Sequence, residues 1–287
     1  MSDFTHSILT SLTKLVLFSL MFSLGLTVSY RQVISLWQKP GLLNRAILGM
    51  SVVAPLLAIG IGFVMDLTAE AKMGLVLVSL SPGTSLPLHY LLETVRRHLY
   101  TQALQITVAF LSIATVPLTI AIINELLPES VQIDPLVVAG QMFVFQLLPL
   151  ILGLMIGTVL HPYYPDSIEQ SAKFLVTDVS LLFYSLLVWV LVKQFNTLLE
   201  LGIRFVVAIA LLAIVSLWIG HWIGDKEMGT QILLALTLST HNAALALLIA
   251  AANLASIVVC PVIAAYVMVS GILAIAYVRW NQRRLRA

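Results

Sequence analysis

Charge is what this chain has least of. Only 10% of its 287 residues are Asp, Glu, Lys or Arg, where soluble domains carry roughly 25%. With 60% of the residues hydrophobic, too few polar side chains remain to cover a surface facing water. The net charge of +2 is too small to attract a nucleic acid. The single cysteine, Cys260, excludes an intramolecular disulfide framework. No Asn-x-Ser/Thr acceptor occurs, which fits a bacterial source. His-Glu-x-x-His and Gly-x-Ser-x-Gly are absent too, and no His lies in a cluster with acids, so the chain does not read as an enzyme.

What it has instead is long apolar runs. Stretches such as Leu147–Leu154 and Ile203–Val215 do not alternate between apolar and polar residues, which excludes barrel strands and leaves helices. A span takes about 20 apolar residues. The runs predict nine spans, near 7–29, 41–64, 70–92, 99–124, 134–160, 169–194, 198–223, 228–252 and 256–278. Lys14 inside the first run, with no clear small-residue cleavage site after it, argues against a signal peptide. The connectors are short, so residues 1–287 read as one all-α, polytopic membrane domain.

Lys and Arg orient it. Nine spans put Arg31, Lys39, Arg45, Arg96, Arg97, Lys173, Lys226, Arg279, Arg283, Arg284 and Arg286 on one side. The other side receives Lys14, Lys72, Lys193 and Arg204. Eleven of the 15 basic residues thus mark the cytoplasmic side. The expected placement is a multi-pass protein of the inner membrane, amino terminus outside and carboxyl terminus inside. Trp37, Trp218, Trp222 and Trp280 lie near span ends and read as interfacial anchors.

Two spans are interrupted at mid-depth. The third carries Ser79-Leu-Ser81-Pro82-Gly83-Thr84-Ser85-Leu-Pro87, and two prolines with a glycine disfavour a continuous helix. The eighth carries Thr237-Leu-Ser239-Thr240-His241-Asn242. Each is the next-to-last span of its half, the pattern of a transporter built from inverted repeats. Freed carbonyls at such breaks suit cations, and half-helix N-termini suit anionic groups. The plainer reading is that Pro and Gly only kink these helices and that Ser and Thr bond their own backbone. Breaks in matched positions favour a binding site.

Four stretches in order resemble the bile acid:sodium symporter family. Met21-Phe-Ser-Leu-Gly25-Leu-Thr27 is similar to its Met-Phe-x-Met-Gly-Leu-Thr, and Pro82-Gly83-Thr84-Ser85 to the start of its first crossing. Leu147-Leu-Pro149-Leu-Ile-Leu-Gly153-Leu is similar to its Leu-Leu-Pro-x-x-Leu-Gly-Leu, and Asn242-Ala-Ala-Leu-Ala246 to the end of its second crossing. The resemblance implies a core part, about 41–124 and 198–278, holding two crossed broken helices. It also implies a panel part, about 7–29 and 134–194, that moves against the core. Members usually have ten spans, and this chain resembles those lacking the first. By resemblance, the family's Ser and Thr sodium ligands of the fourth span fall on Thr101 and Gln105, and a residual coupling-ion site is expected near Ser81, Thr101, Gln105, Ser239 and Thr240. This chain departs from the pattern at the second crossing, where Ser239-Thr240-His241-Asn242 stands in place of a Glu and Gln pair. It departs also at Met50, where the family has a glutamine.

These readings define an expected site. Thr84, Ser85, His241, Asn242, Asp178 and Ser185 are candidates for substrate binding. Asp178 lies about 13 Å along its helix from Glu169, without a basic neighbour at i±3 or i±4, and an intramembrane carboxylate is costly enough to be a functional candidate. The plainer reading is a protonated acid bonded to a neighbouring helix; by resemblance its span belongs to the panel and faces the cavity. His89 reads as a hydrogen-bonding spacer, Gln141 and Gln146 as interhelical bonds, and Cys260 as packing. The expected function is symporter-like secondary transport of a small organic anion by alternating access, with Na+ or H+ as coupling ion. No cofactor is expected beyond Na+ in that role. The alternative is a transport-dead membrane sensor or scaffold that keeps the fold.

Overall fold

Apolar runs interrupted by cap-forming residues dictate helices here. Asp134 precedes Pro135 and its carboxylate accepts the Leu136 N–H at 2.8 Å, while Thr68 accepts the Ala71 N–H at 3.3 Å. Both are polar N-caps, and proline suits the first turn. The computed structural model describes residues 3–28, 34, 37, 40–81, 98–126, 132–224, 227–253 and 258–286. Every described element is helical: α1 Asp3–Thr27, α2 Pro40–Val64, α3 Ala69–Leu80, α4 His98–Leu126 and α5 Pro135–Leu160. They continue with α6 Pro165–Lys193, α7 Phe195–Ile223, α8 Met228–Ser239, α9 Ala243–Asn253 and α10 Val259–Arg286.

Among the described residues, eight stretches are long and apolar enough to cross a membrane, α8 and α9 together forming one. The expected third span is represented by α3; its remainder, with Thr84, Ser85 and His89, lies outside the described residues. The all-helical, polytopic architecture expected from the runs is therefore the one found.

Three local features differ from a plain reading of the runs. A wide π turn covers Gly49–Val53 in α2 and another Phe143–Leu147 in α5. Each ends two residues before a proline, Pro55 or Pro149, which has no N–H for the carbonyl four residues back. Widening the turn lets the ring pass without breaking the helix. In α7 the chain turns at Gly202, whose φ of 69° lies in the left-handed region. The segment before it is therefore a separate helical piece, not part of the span.

Close helix contacts rest on glycine. α1 packs against α5 and α6. A Cβ at Gly25, Gly153 or Gly157 would approach the backbone of the facing helix of the α1–α5 pair to 3.0 Å or less. Such small residues let membrane helices approach, since lipid supplies no hydrophobic drive between them. Ser23 ties α1 to α6 by donating to the Ala172 carbonyl at 3.0 Å. A second group forms where α7 packs on α8 and α10, and α3 on α2 and α10. The apolar window of the α8–α9 unit is wholly buried, whereas the other spans bury only 28–56% of theirs. The interrupted span is thus the one the rest of the protein surrounds.

Candidate substrate and coupling-ion site

The two interruptions meet. α3 ends at Ser81, and the backbone N–H of Asn242 donates to the Ser81 carbonyl at 2.8 Å. Thr240, between α8 and α9, is extended at φ −106° and ψ 99°, so the span unwinds there. Asn242 then restarts it: its Oδ1 accepts the Leu245 N–H at 3.1 Å, capping α9. Its side-chain NH2 donates to none of the described residues.

Around this junction Ser81, Ser239, Thr240, His241 and Asn242 are all buried. The Ser81 and Thr240 hydroxyls each donate to the carbonyl four residues back, Leu77 and Leu236, at 2.8 Å. Their lone pairs remain able to accept or to ligate a cation. The Ser239 hydroxyl and both ring nitrogens of His241 have no partner among the described residues. A buried polar atom without a partner costs about 1–3 kcal/mol, so the arrangement carries unmet hydrogen-bonding capacity at its centre. Sequence reasoning missed Tyr266 of α10. Its hydroxyl donates to the Ser239 carbonyl at 2.8 Å, and its ring centroid lies 5.9 Å from that of His241. A tyrosine in the middle of a mostly apolar span was the available signal.

Two chemistries fit this geometry. The N-terminal end of α9 presents the amide dipoles of Ala243 and Ala244, a favourable end for an anion. The unwound carbonyls and hydroxyls opposite suit a hard cation, which takes oxygen ligands. The hydroxyls of Ser81, Ser239 and Thr240 are oxygens of the kind sodium takes, though fewer than a full shell. Met50, where an amide was expected by resemblance, packs instead in an apolar cluster with Leu104, Leu234 and Leu238. It offers no oxygen ligand. Gln105 is half-buried on α4, and the side chain of Thr101 lies outside the described residues. No group of three or more His, Cys, Asp or Glu side chains able to hold a metal occurs among the described residues.

Asp178 and Ser185 lie apart from this junction. Both are exposed on the surface of α6, a helix that packs on α1 and α10, and Ser185 donates to the Leu181 carbonyl at 2.7 Å. Of the expected glutamines, Gln146 joins α5 to α4 through the Ala109 carbonyl at 2.9 Å and the Ser112 hydroxyl at 2.8 Å. Gln141 and Asn253 exchange side-chain amide bonds at 3.3 and 2.9 Å, joining α5 to the end of α9.

A search of curated proteins finds no match for the chain. The profile of the Sodium Bile acid symporter family matches residues 14–201, which run from α1 into α7, and the junction at Asn242 lies beyond them. A match over more than half the length, on a polytopic helical fold with an interrupted, buried span, places this chain in the sodium bile acid symporter family, whose members are membrane transporters.

Proposed function

We propose that the protein is a secondary active transporter of a small organic anion, working by alternating access. The observation that carries this is the 2.8 Å bond from the Asn242 N–H to the Ser81 carbonyl, which joins two helix ends inside a wholly buried span. A carboxylate at the start of α9 would meet helix-end amides, the Asn242 side chain and His241. Thr84 and Ser85 follow Ser81 in sequence and are proposed to complete the site. The coupling ion is Na+ held near Ser81, Thr101, Gln105, Ser239 and Thr240, or H+ carried by Asp178 or His241. In this reading Asp178 and Ser185 face the substrate path when α6 moves. The packing of α1 against both α5 and α6 supports a panel of about 7–29 and 134–194 moving on a core of about 41–124 and 198–278.

Uptake by proteoliposomes under separate Na+ and H+ gradients tests the reading. We expect one gradient, not both, to drive accumulation of an organic anion. Equal uptake without either gradient would remove symport, and ligand-induced stabilisation with no flux would favour the sensor reading. In the same vesicles, protease sensitivity of a carboxyl-terminal tag reports orientation. The eleven-to-four division of basic residues supports a cytoplasmic carboxyl terminus in the inner membrane, and a tag cleaved only from the opposite side would overturn that.

A further inference from the structure

Lys14 has no role in the site described above, yet its position is unusual. It lies seven residues into the first span, about 10 Å below its start. Lysines at such depth commonly snorkel, sending the ammonium up to the interface. This one does not: its Nζ lies 5.4 Å from the centroid of the Phe145 ring, and Phe145 is ten residues after Pro135, about 15 Å down α5. The side chain is half-buried and makes no ion pair among the described residues. A ring face steadies an ammonium but does not neutralise it. Among the described residues, a cation held at this depth has no counter-charge.

Its surroundings say where such a counter-charge would enter. One turn above Lys14 on the same face of α1, Thr10 donates to the Ala251 carbonyl at 3.3 Å. One turn above Phe145 on α5, Gln141 pairs with Asn253. Both bonds reach the last turn of α9. Lys14 thus sits directly beneath a polar seam closing α1 and α5 against α9. The buried span itself contains no Lys or Arg from Met228 to Asn253, so full positive charge for an anion must come from elsewhere.

We propose that Lys14 is the cationic anchor for the carboxylate of the transported anion, on a subsite beneath the Thr10–Ala251 and Gln141–Asn253 seam. This deepens the anion-transport reading and rests on it. The anion pairs with Lys14 when the seam opens, then passes towards the start of α9.

The test uses the full-length protein in detergent and thermal stabilisation as readout. The probes are cholate and short branched monocarboxylates, each beside its neutral amide. The carboxylate that binds the wild type best should lose about ten-fold or more in affinity in Lys14→Gln and recover it in Lys14→Arg. Its neutral amide should bind Lys14→Gln at least as well as it binds the wild type, which a merely structural lysine would not produce. Unchanged carboxylate affinity in Lys14→Gln, or parallel loss for acid and amide, would overturn the anchor while leaving anion transport standing. A wild type that binds no carboxylate would remove the transport reading itself. If Lys14→Gln does not fold, Lys14→Cys in a Cys260→Ala background decides. A positively charged thiol reagent should restore carboxylate binding and a negatively charged one should not; equal effects would overturn the proposal.

Discussion

Asn242 does two jobs with different atoms. Its backbone N–H reaches across to Ser81, and its side-chain oxygen caps α9 through Leu245. The side-chain nitrogen donates to none of the described residues, and in the proposed function it meets the anion. Removing the side chain should therefore cost both stability and binding, and the two can be separated. Asn242→Ala is expected to destabilise by about 1 kcal/mol through loss of the cap, seen as a lower midpoint of thermal unfolding in detergent. Asn242→Asp keeps an acceptor for the Leu245 N–H, so it should keep most of that stability while losing anion binding. An Asn242→Asp variant that binds the anion at wild-type affinity would leave Asn242 a cap and nothing more. The serines and threonines nearby show the same economy: Ser81 and Thr240 satisfy their protons on their own helices, so only their lone pairs face the junction.

Between elements, the α1–α5 contact is set by backbone meeting backbone. Gly153 faces the Phe22 carbonyl, Gly25 faces that of Leu150, and Gly157 faces that of Leu26. No flexible side chain is present there to yield, so added carbon must push the helices apart. We expect Gly153→Ala to cost about 1–3 kcal/mol by overpacking. Gly140→Ala, on the same helix with nothing within 4 Å of its new carbon, should be neutral. Unfolding midpoints of the two variants, measured side by side, check this; equal midpoints would show that α1 and α5 are held by other means. The π turn before Pro149 belongs to the same scale. It re-aims the turn holding Gln146, whose side chain then reaches Ala109 and Ser112 of α4.

For the whole molecule, the proposed alternating access would require α1 and α5 to separate from α9 at one end. The Gln141–Asn253 pair and the Thr10–Ala251 bond resist that separation. Gln141→Ala should shift the population towards the open seam and expose Ala251, which is otherwise 1% exposed. Labelling of Ala251→Cys by an impermeant maleimide, in a Cys260→Ala background, should rise several-fold. Asn253→Ala should do the same, and the double variant should add little, because the two amides act as a pair. Fully additive effects would show that Gln141 and Asn253 act separately.

The composition and the runs were enough to determine the solvent, the helical class and the order of spans. In lipid an unpaired backbone is so costly that an apolar run of about 20 residues has one outcome. The breaks at Ser81 and Asn242 were legible for a related reason: Pro, Gly and clustered Ser and Thr stand out where almost everything else is Leu, Ile or Ala. Partnership was not legible. That the Asn242 N–H reaches Ser81, that Tyr266 rests on His241, and that Lys14 lies over Phe145 rather than at the interface depends on which helix faces join. Those faces are chosen by glycine contacts and π turns, one of which holds Phe145 itself. Asp178, conspicuous as a lone carboxylate within a span, lies on an exposed face of α6, whereas Lys14, which in the sequence bears only on orientation and on the absence of a signal peptide, lies on the seam. Depth along a helix follows from residue number, but direction around the bundle is decided only when all the helices pack.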